Sequence, residues 1–349
     1  MLELDFLPVE NEDGDSTRSG DAIAARFTHP TENRQVVIAV DAGFTDVGDQ
    51  LADHIKKFYG TSHIDLVIST HPDTDHLNGI KTLLEACTVG ELMIHLPWKH
   101  NSRAHEIGNY DRIVEVVNLA VSKSVTVTEP FAGTDRFGGA VTILGPALPY
   151  YESMLDEAVA DAAGTSSASL SAGGFGHALL TKGAKVLERV RAAYPFETLD
   201  NIDDTGARNN MSVITLLRVA GERILLTGDA GIGALDQAID AYEIVMGGRI
   251  STYPLDLLQA PHHGSRHNLG PAILDRILGT KGHPHNPNAS ALISSAKNSE
   301  KHPSPRVTNA LGRRGASVYV TEGRTICHSS GISRAGWGPM DPVGPLEEE

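Results

Sequence analysis

The sequence predicts an α/β fold in which two sheets pack face to face between outer layers of helices, an αββα sandwich. Short apolar runs alternate with amphipathic helical segments from residue 1 to about residue 148, and the alternation resumes at residue 210. Histidines and aspartates also follow directly after three of the apolar runs. Two such stretches, each able to form a sheet with its own helices, indicate the two halves of the sandwich.

The first half begins with strands. Residues 1–43 hold the apolar runs LELDFLP, AIAARF and QVVIAV between turn-forming residues, which predicts a meander of three strands. A helix over 46–59 and a buried strand, IDLVIST, come next. The pattern then predicts a helix over 77–87, a strand in ELMIHLPW, a helix near 109–122, and strands in SVTVTE and AVTILGP.

The second half resumes with MSVITLLRVAGERILLTGD, two strands around the turn Gly221-Glu222, and a helix near 232–245. Further strands are expected in DLLQAPHHGS, SALISSA and ASVYVTEG. Between the halves, residues 150–208 combine helical pieces with the low-complexity stretch GTSSASLSAGGFG, so we interpret them as an insertion or cap. We expect one domain over 1–335 and an acidic, disordered tail over 336–349.

Composition narrows the function classes. The formal net charge of −15 argues against nonspecific, phosphate-driven binding of long nucleic acid. No apolar run approaches the roughly 18 residues that cross a bilayer, and the acidic N-terminus does not have the pattern of a secretory signal. We therefore expect a cytoplasmic protein without membrane association; a protein partner stays open.

The side chains that could bind a metal are concentrated directly after three of the apolar runs. His71, Asp73, Asp75 and His76 occupy one six-residue turn. Asp229 ends the run RILLTGD, and LLQAPHHGS supplies two more candidates, His262 and His263. Four such side chains would cost several kcal/mol to bury unpaired, and a bound metal removes that cost. The alternative is a solvated turn that caps the following helix.

Several segments together resemble the metallo-β-lactamase superfamily, and its competence-type (ComEC-like) branch in particular. They are SGDAIAARF, VDAGF, STHPDTDHLNG, NNMSV, LLTGDA, APHHGS and SAKNSEKHP, in the family's order over most of residues 4–325. The resemblance implies a metal-dependent hydrolase of the metallo-β-lactamase fold. It implies one metal on His71 and Asp73, a second on Asp75, His76 and His263, and Asp229 as the bridge.

Two departures from the superfamily pattern concern the first metal. Position 73 is Asp instead of the commoner His, which favours Mn²⁺ or Mg²⁺ over an all-nitrogen zinc site, although Zn²⁺ stays open. The further histidine that usually binds the first metal has no convincing match in this sequence. Because the first site then has fewer protein ligands, the expected number of bound ions is one or two. Four other histidines do not match that place and are interpreted as surface residues: His95, His100, His105 and His177.

Other positions are assigned by the same resemblance. Asp41, in VDAGF, is expected to orient a metal ligand. Asn210 and His262 are expected beside the site, either behind the ligands or against the substrate. His302, in EKHPSP, matches a position that the competence-type branch also fills with His, and it could contact a scissile phosphate.

The expected reaction is hydrolysis of a phosphodiester by a metal-bound hydroxide, with Asp75, Asp229 and His302 as the catalytic side chains. The substrate would be an oligonucleotide, DNA or RNA, or a cyclic nucleotide, and the net charge favours a short one. Arg266, His267 and Lys301 could add local positive charge, or could be solvated surface residues. Two alternatives stay open: a hydrolase of esters, thioesters or lactones, and a catalytically degenerate binding module.

Overall fold

A computed structural model of the chain describes residues 1–10, 17–169 and 197–347, with side chains of 165–169 excepted. The strands are β1 (Leu2–Phe6), β2 (Ala22–Thr28), β3 (Gln35–Ala42), β4 (His63–Ile68), β5 (Thr88–Met93), β6 (Thr126–Thr128), β7 (Asp135–Arg136), β8 (Val141–Gly145), β9 (Ile214–Val219), β10 (Glu222–Leu226), β11 (Leu257–Gln259), β12 (Gly279–Thr280), β13 (His283–Pro284), β14 (Ser290–Ile293), β15 (Ser317–Val320) and β16 (Ile326–Ser330). The helices are α1 (Thr45–His54), α2 (Thr74–Ala86), α3 (Tyr110–Ser122), α4 (Leu148–Ser169), α5 (Ala207–Asn210), α6 (Ile232–Met246), α7 (Pro271–Leu278) and α8 (Pro305–Arg313).

The strands form two seven-stranded sheets and one short hairpin of β12 and β13. The first sheet has the order β16-β1-β2-β3-β4-β5-β6, antiparallel up to β3 and parallel from β3 to β6. The second has the order β15-β14-β11-β10-β9-β8-β7, parallel from β10 to β15 and antiparallel elsewhere. Each sheet is therefore mixed, and each has a parallel part whose strand ends share one edge.

Three buried clusters define four layers. The central cluster joins residues of both sheets, such as Phe6 and Ile38 of the first with Leu217 and Leu226 of the second. A second cluster lies between the first sheet and helices α1 to α4, and a third lies between the second sheet and helices α6 to α8. The predicted αββα sandwich, the metallo-β-lactamase fold, is confirmed.

Helix α2 passes very close to strand β3, because a glycine lies at the contact. A Cβ built on Gly79 would lie 2.0 Å from the carbonyl oxygen of Ala42, and one built on Gly48 of α1 would lie 2.3 Å from that of Gly79. Only glycine allows backbones to approach so closely. The contact holds the start of α2 against the end of β3, where the candidate site residues lie.

Several elements differ from the sequence prediction. Helix α2 begins at Thr74, three residues before the predicted start, so it includes Asp75 and His76 in its first turn. Strand β16 was not predicted; it pairs antiparallel with β1 at the edge of the first sheet. The helical piece at the start of the 150–208 insertion is confirmed as α4. The low-complexity stretch from residue 170 onward and the whole of KGAKVLERVRAAY lie outside the described residues.

The C-terminal segment makes specific contacts in its described part. The amide of Val343 donates to the carbonyl of Val318 in β15, and Leu346 exchanges two hydrogen bonds with the side chain of Asn309 in α8. Within the described ranges, no helix is both long and apolar enough to span a bilayer.

Candidate metal centre

The candidate ligands follow the ends of strands in both sheets. His71 follows β4, Asp229 follows β10, and His262 and His263 follow β11. The carboxyl ends of adjacent strands open onto a common crevice, where side chains from distant parts of the chain can converge. Asp41 is the penultimate residue of β3. Its backbone is in the left-handed region, with φ 53°, a conformation that is uncommon for non-glycine residues and is often found at functional sites.

Asp229 lies at the centre of the cluster. Its Oδ1 is 3.4 Å from Nε2 of His76, and its Oδ2 is 3.5 Å from Nε2 of His71 and 3.6 Å from Nε2 of His262. The side chain is almost fully buried. Its backbone amide donates to Oγ of Ser212, which anchors the turn. The two oxygens of the Asp229 carboxylate therefore face three imidazole rings.

The hydrogen bonds behind two of these imidazoles determine where their protons lie. Asp41 accepts from the amide and hydroxyl of Thr70, at 2.8 and 2.6 Å, and from Nδ1 of His76 at 2.8 Å. Because the Thr70 hydroxyl gives its proton to Asp41, it accepts from Nδ1 of His71, 3.0 Å away. Each neutral ring therefore keeps its proton on Nδ1 and has a lone pair on Nε2, the arrangement of a metal-binding histidine.

A second group surrounds His263. Its Nε2 is 3.7 Å from Oδ2 of Asp75, and the ligand atoms of Asp75, His76 and His263 all lie within 4.8 Å of one another. The same limit holds for Asp21, Asp229 and His263, and for Asp41, His71 and His76. The cluster thus contains two neighbouring places where a cation could be held.

The electrostatics of the cluster are those of closely packed opposite charges. Burial alone would raise the pKa of Asp229 and of Asp75, but the neighbouring imidazoles outweigh it and hold both values below their usual range. Burial would lower the pKa of His76, yet the charges of Asp229 and Asp41 raise it well above the usual value. For His71, burial and then the positive charge of His76 prevail, and the pKa is lowered. The ionised carboxylates of Asp229 and Asp75 are therefore stabilised by positive charge within the cluster.

A divalent metal fits these residues, because it would satisfy polar atoms that have no hydrogen-bond partner among the described residues. The buried atoms without a partner include Nε2 of His71, Nε2 of His76, both ring nitrogens of His263, Oδ1 of Asp229 and Oδ1 of Asp21. Leaving so many polar atoms unpaired would cost several kcal/mol. Nitrogen and carboxylate donors that converge in this way match Zn²⁺, Mn²⁺ or Mg²⁺.

The remaining predicted residues lie around this cluster. Both polar atoms of the Asn210 amide bind backbone groups, accepting from Gly231 and donating to Thr205, so the residue supports the turn after Asp229. The ring of His302 lies 5.6 Å from that of His262 and 6.1 Å from that of His263. Burial, with the charges of the two other histidines, lowers the pKa of His302 to about 4, so its ring is neutral at pH 7.

A cleft of about 450 Å³ leads to the second group. It is lined by Asp75, both histidines of the pair His262 and His263, and His302, together with Thr17, Arg18, Ser19, Ser299, Glu300 and Lys301. The opening is large enough for a small organic ligand. A substrate in this cleft would meet the cluster from the side of Asp75.

Sequence reasoning missed residues that reach the cluster from elsewhere. Asp21 lies fully buried beside His76, held by a 2.8 Å hydrogen bond from Nε2 of Gln259. Arg208, on α5, places Nη1 3.3 Å from Oδ1 of Asp73. The SGD segment before β2 is a usable signal for Asp21, because it belongs to one of the segments that carry the family resemblance. No comparable sequence signal indicated the position of Arg208.

The other histidines behave differently from one another. The surface interpretation is wrong for His95, which is buried and stacks on Tyr151 at 4.2 Å, because the ring completes an aromatic cluster with Phe131. It holds for His105, which is exposed, and His100 is half-buried between two glutamates. His177 lies outside the described residues. Arg266, His267 and Lys301 are exposed, and His267 binds Asp204.

One family model and several solved structures are similar to the chain. Residues 33–150 match the family model described as Metallo-beta-lactamase superfamily. No curated protein sequence matches the chain. Among solved structures, the metallo-beta-lactamase fold protein YhfI from Bacillus subtilis is 10% identical, with 94% of this chain and 100% of that chain covered at a TM-score of 0.46. A long form RNase Z from yeast is 12% identical, with 93% and 41% covered at a TM-score of 0.43.

Proposed function

We propose that the chain is a metal-dependent hydrolase of the metallo-β-lactamase superfamily, whose family model matches residues 33–150, and that it cleaves phosphodiester bonds. The supporting observation is positive charge placed against a carboxylate-rich centre in a chain of net charge −15. Arg208 contacts Asp73 at 3.3 Å, and Arg18 and Lys301 line the cleft. Guanidinium and ammonium groups at such a place suit a phosphate. The motif His71-x-Asp-x-Asp-His76 favours the competence-type branch.

In this proposal the chain would hold two divalent ions, Mn²⁺, Zn²⁺ or Mg²⁺. His71 and Asp73 would hold the first, Asp75, His76 and His263 would hold the second, and Asp229 would contribute to both. Bound ions of this kind lower the pKa of water and stabilise the charge that develops on a phosphoryl group. Asp41 fixes the proton of His76 and, through Thr70, that of His71, so both rings stay oriented.

The chain's own side chains would complete the reaction. Asp75 and Asp229 are ionised at neutral pH, so either can hold the proton released from the attacking water. His302 is neutral, and its Nδ1 has no hydrogen-bond partner among the described residues, so it can bind a phosphate oxygen or the leaving group. Arg208 would neutralise one nonbridging oxygen.

The cleft and the charge favour a short substrate. A volume of about 450 Å³ is that of a site for one small ligand, such as a single nucleotide unit, and not of a groove for a long duplex. Net negative charge repels extended polyanions at long range, while the local cations act only within the cleft. We therefore propose an oligonucleotide or a cyclic nucleotide as the substrate, with longer DNA or RNA reached only through a recruiting partner.

The two alternatives have less support. An ester, thioester or lactone hydrolase needs an apolar pocket for the acyl group, and the apolar cavity beside His71, lined by Ile94, Ile107 and Tyr151, is about 20 Å³, the size of one water. A catalytically degenerate binding module would have no need to keep metal-ligand side chains together. In this chain both candidate metal-binding groups still bring carboxylates and imidazoles within 4.8 Å of one another.

We expect hydrolysis of bis-p-nitrophenyl phosphate that depends on added Mn²⁺ or Zn²⁺, with p-nitrophenyl acetate turned over much more slowly. Asp75→Ala should reduce phosphodiester turnover by about 100-fold or more, because it removes a charge at the second metal. Asp49→Ala, an exposed acid on α1, serves as the matched control and should behave as wild type. Faster turnover of the acetate than of the phosphodiester would contradict the proposal.

The contact of Arg208 with Asp73 allows a test of substrate charge. Arg208→Ala should lower kcat/KM for the phosphodiester by about 10- to 100-fold, equivalent to a charge-assisted hydrogen bond of about 1.5–3 kcal/mol, and Arg208→Lys should restore part of it. Metal content should not fall. Arg112→Ala, an exposed arginine on α3, is the control. Unchanged kinetics in Arg208→Ala would remove the main support for a phosphate substrate.

A further inference from the structure

The first metal site, as proposed above, has fewer protein ligands than the second. His71, Asp73 and Asp229 contribute to it, and no further histidine from the expected part of the chain approaches it within the described residues. We propose that His262 completes this site through Nε2, an inference that rests on the proposed metal centre. The pair His262-His263 would then supply one ligand to each ion.

The backbone turns both rings of the pair toward the centre. His262 and His263 have φ values of 49° and 55°, both in the left-handed region. Adjacent residues of an extended strand point to opposite faces, whereas here the two rings lie 5.8 Å apart and both approach Asp229 or its neighbour Asp75. Left-handed backbone at two successive histidines costs free energy, and such strain concentrates at functional sites.

The hydrogen bonds of Asn268 determine where the proton of His262 lies. Its amide nitrogen donates to the carbonyls of Asp229 and Ala230, at 2.9 and 3.4 Å, so its oxygen faces Nδ1 of His262 at 3.0 Å. That oxygen accepts, and Nδ1 must carry the proton. The amide of Asn209 lies 3.3 Å from the same nitrogen, and a half-turn presents its oxygen as a second acceptor. Nε2 of His262 therefore has the lone pair.

That lone pair faces the carboxylate oxygen that His71 also faces. Nε2 of His262 lies 3.6 Å from Oδ2 of Asp229, and Nε2 of His71 lies 3.5 Å from the same atom. A lone pair and a carboxylate oxygen repel each other at this distance unless a cation lies between them. His71 and His262 have the same arrangement, a proton held on Nδ1 and Nε2 directed at Asp229. The geometry is that of two ligands of one ion.

The test measures metal content and the spectrum of bound Co²⁺, so it does not depend on turnover. Metal-free protein is loaded with Co²⁺, passed over a desalting column, and analysed by mass spectrometry and visible absorption. Wild type should retain close to two ions per chain. His262→Ala should retain close to one, with first-site affinity lowered about 10-fold or more and a changed ligand-field spectrum. Asn268→Ala should weaken the same site by a smaller factor.

Controls separate this inference from loss of fold and from failure of the proposed function. His267→Ala, an exposed histidine nearby, should retain both ions, and His262→Gln repeats the test with a side chain of similar size. Each metal-free His262 variant should still unfold in a single cooperative thermal transition. Two ions with unchanged affinity and spectrum in both His262 variants would overturn the inference. Wild type that binds two ions but cleaves no phosphodiester would overturn the proposed function alone, and wild type that binds none would overturn both.

Discussion

Replacing Asp229 by asparagine should abolish turnover and remove most of the bound metal. The side chain faces Nε2 of His71, His76 and His262 at 3.4 to 3.6 Å, so its charge contacts both proposed ions. Asparagine keeps the shape but loses the charge and one acceptor oxygen. We expect a loss of about 1,000-fold or more in kcat/KM, which corresponds to about 4 kcal/mol of transition-state stabilisation.

The measurement pairs steady-state hydrolysis of bis-p-nitrophenyl phosphate with metal content by mass spectrometry. Asp204→Asn is the matched control, because Asp204 is an exposed acid near the site that binds His267 and no candidate ligand. Its activity and metal content should equal those of wild type. If Asp229→Asn retained two ions and normal turnover, the carboxylate would not be the bridge, and the proposed arrangement would be wrong.

Replacing Asp41 by alanine should have the largest effect on stability. Asp41 is fully buried and accepts from the Thr70 amide, the Thr70 hydroxyl and Nδ1 of His76. Alanine leaves these donors unpaired, at about 1–3 kcal/mol each, so we expect the free energy of unfolding to fall by about 3–5 kcal/mol in total. Asp41→Asn should cost less, since the amide oxygen can still accept.

Chemical denaturation in the presence of a chelator measures this loss without the contribution of metal. Metal binding supplies a second readout, because Asp41 orients His76 directly and His71 through Thr70; affinity should fall about 10- to 100-fold in Asp41→Asn. Thr70→Val removes only the hydroxyl and should show part of both effects. A stable Asp41→Ala protein with wild-type metal affinity would mean that neither histidine depends on this hydrogen-bond network.

The local sequence pattern is enough to predict several residues of the candidate site. His71, Asp73, Asp75 and His76 are predictable because one short segment joins the end of a buried strand to the start of a helix. Periodicity could not fix the helix start at Thr74, because apolar spacing begins only with Leu77. That difference matters, since the first turn of α2 carries both Asp75 and His76.

Residues that act through distant partners were harder to interpret. Asn210 was expected near the substrate or behind the ligands, and the structure shows its amide bound to backbone groups of Thr205 and Gly231. His95 was interpreted as a surface residue, yet it stacks within an aromatic cluster. Neither outcome is visible in the flanking residues, because each depends on which side chains a different element brings close.

The alternation of strands and helices, the αββα class and the clustering of ligand-type residues after strands can be predicted from the sequence, because these features depend on neighbours in the chain. Only the folded structure shows that β16 pairs with β1, that Arg208 contacts Asp73, and that Asn268 binds His262. It also brought Asp21 to Gln259, 238 residues away in the chain. Such contacts arise from packing between sheets, and hydrophobic periodicity carries no information about which distant side chains will meet.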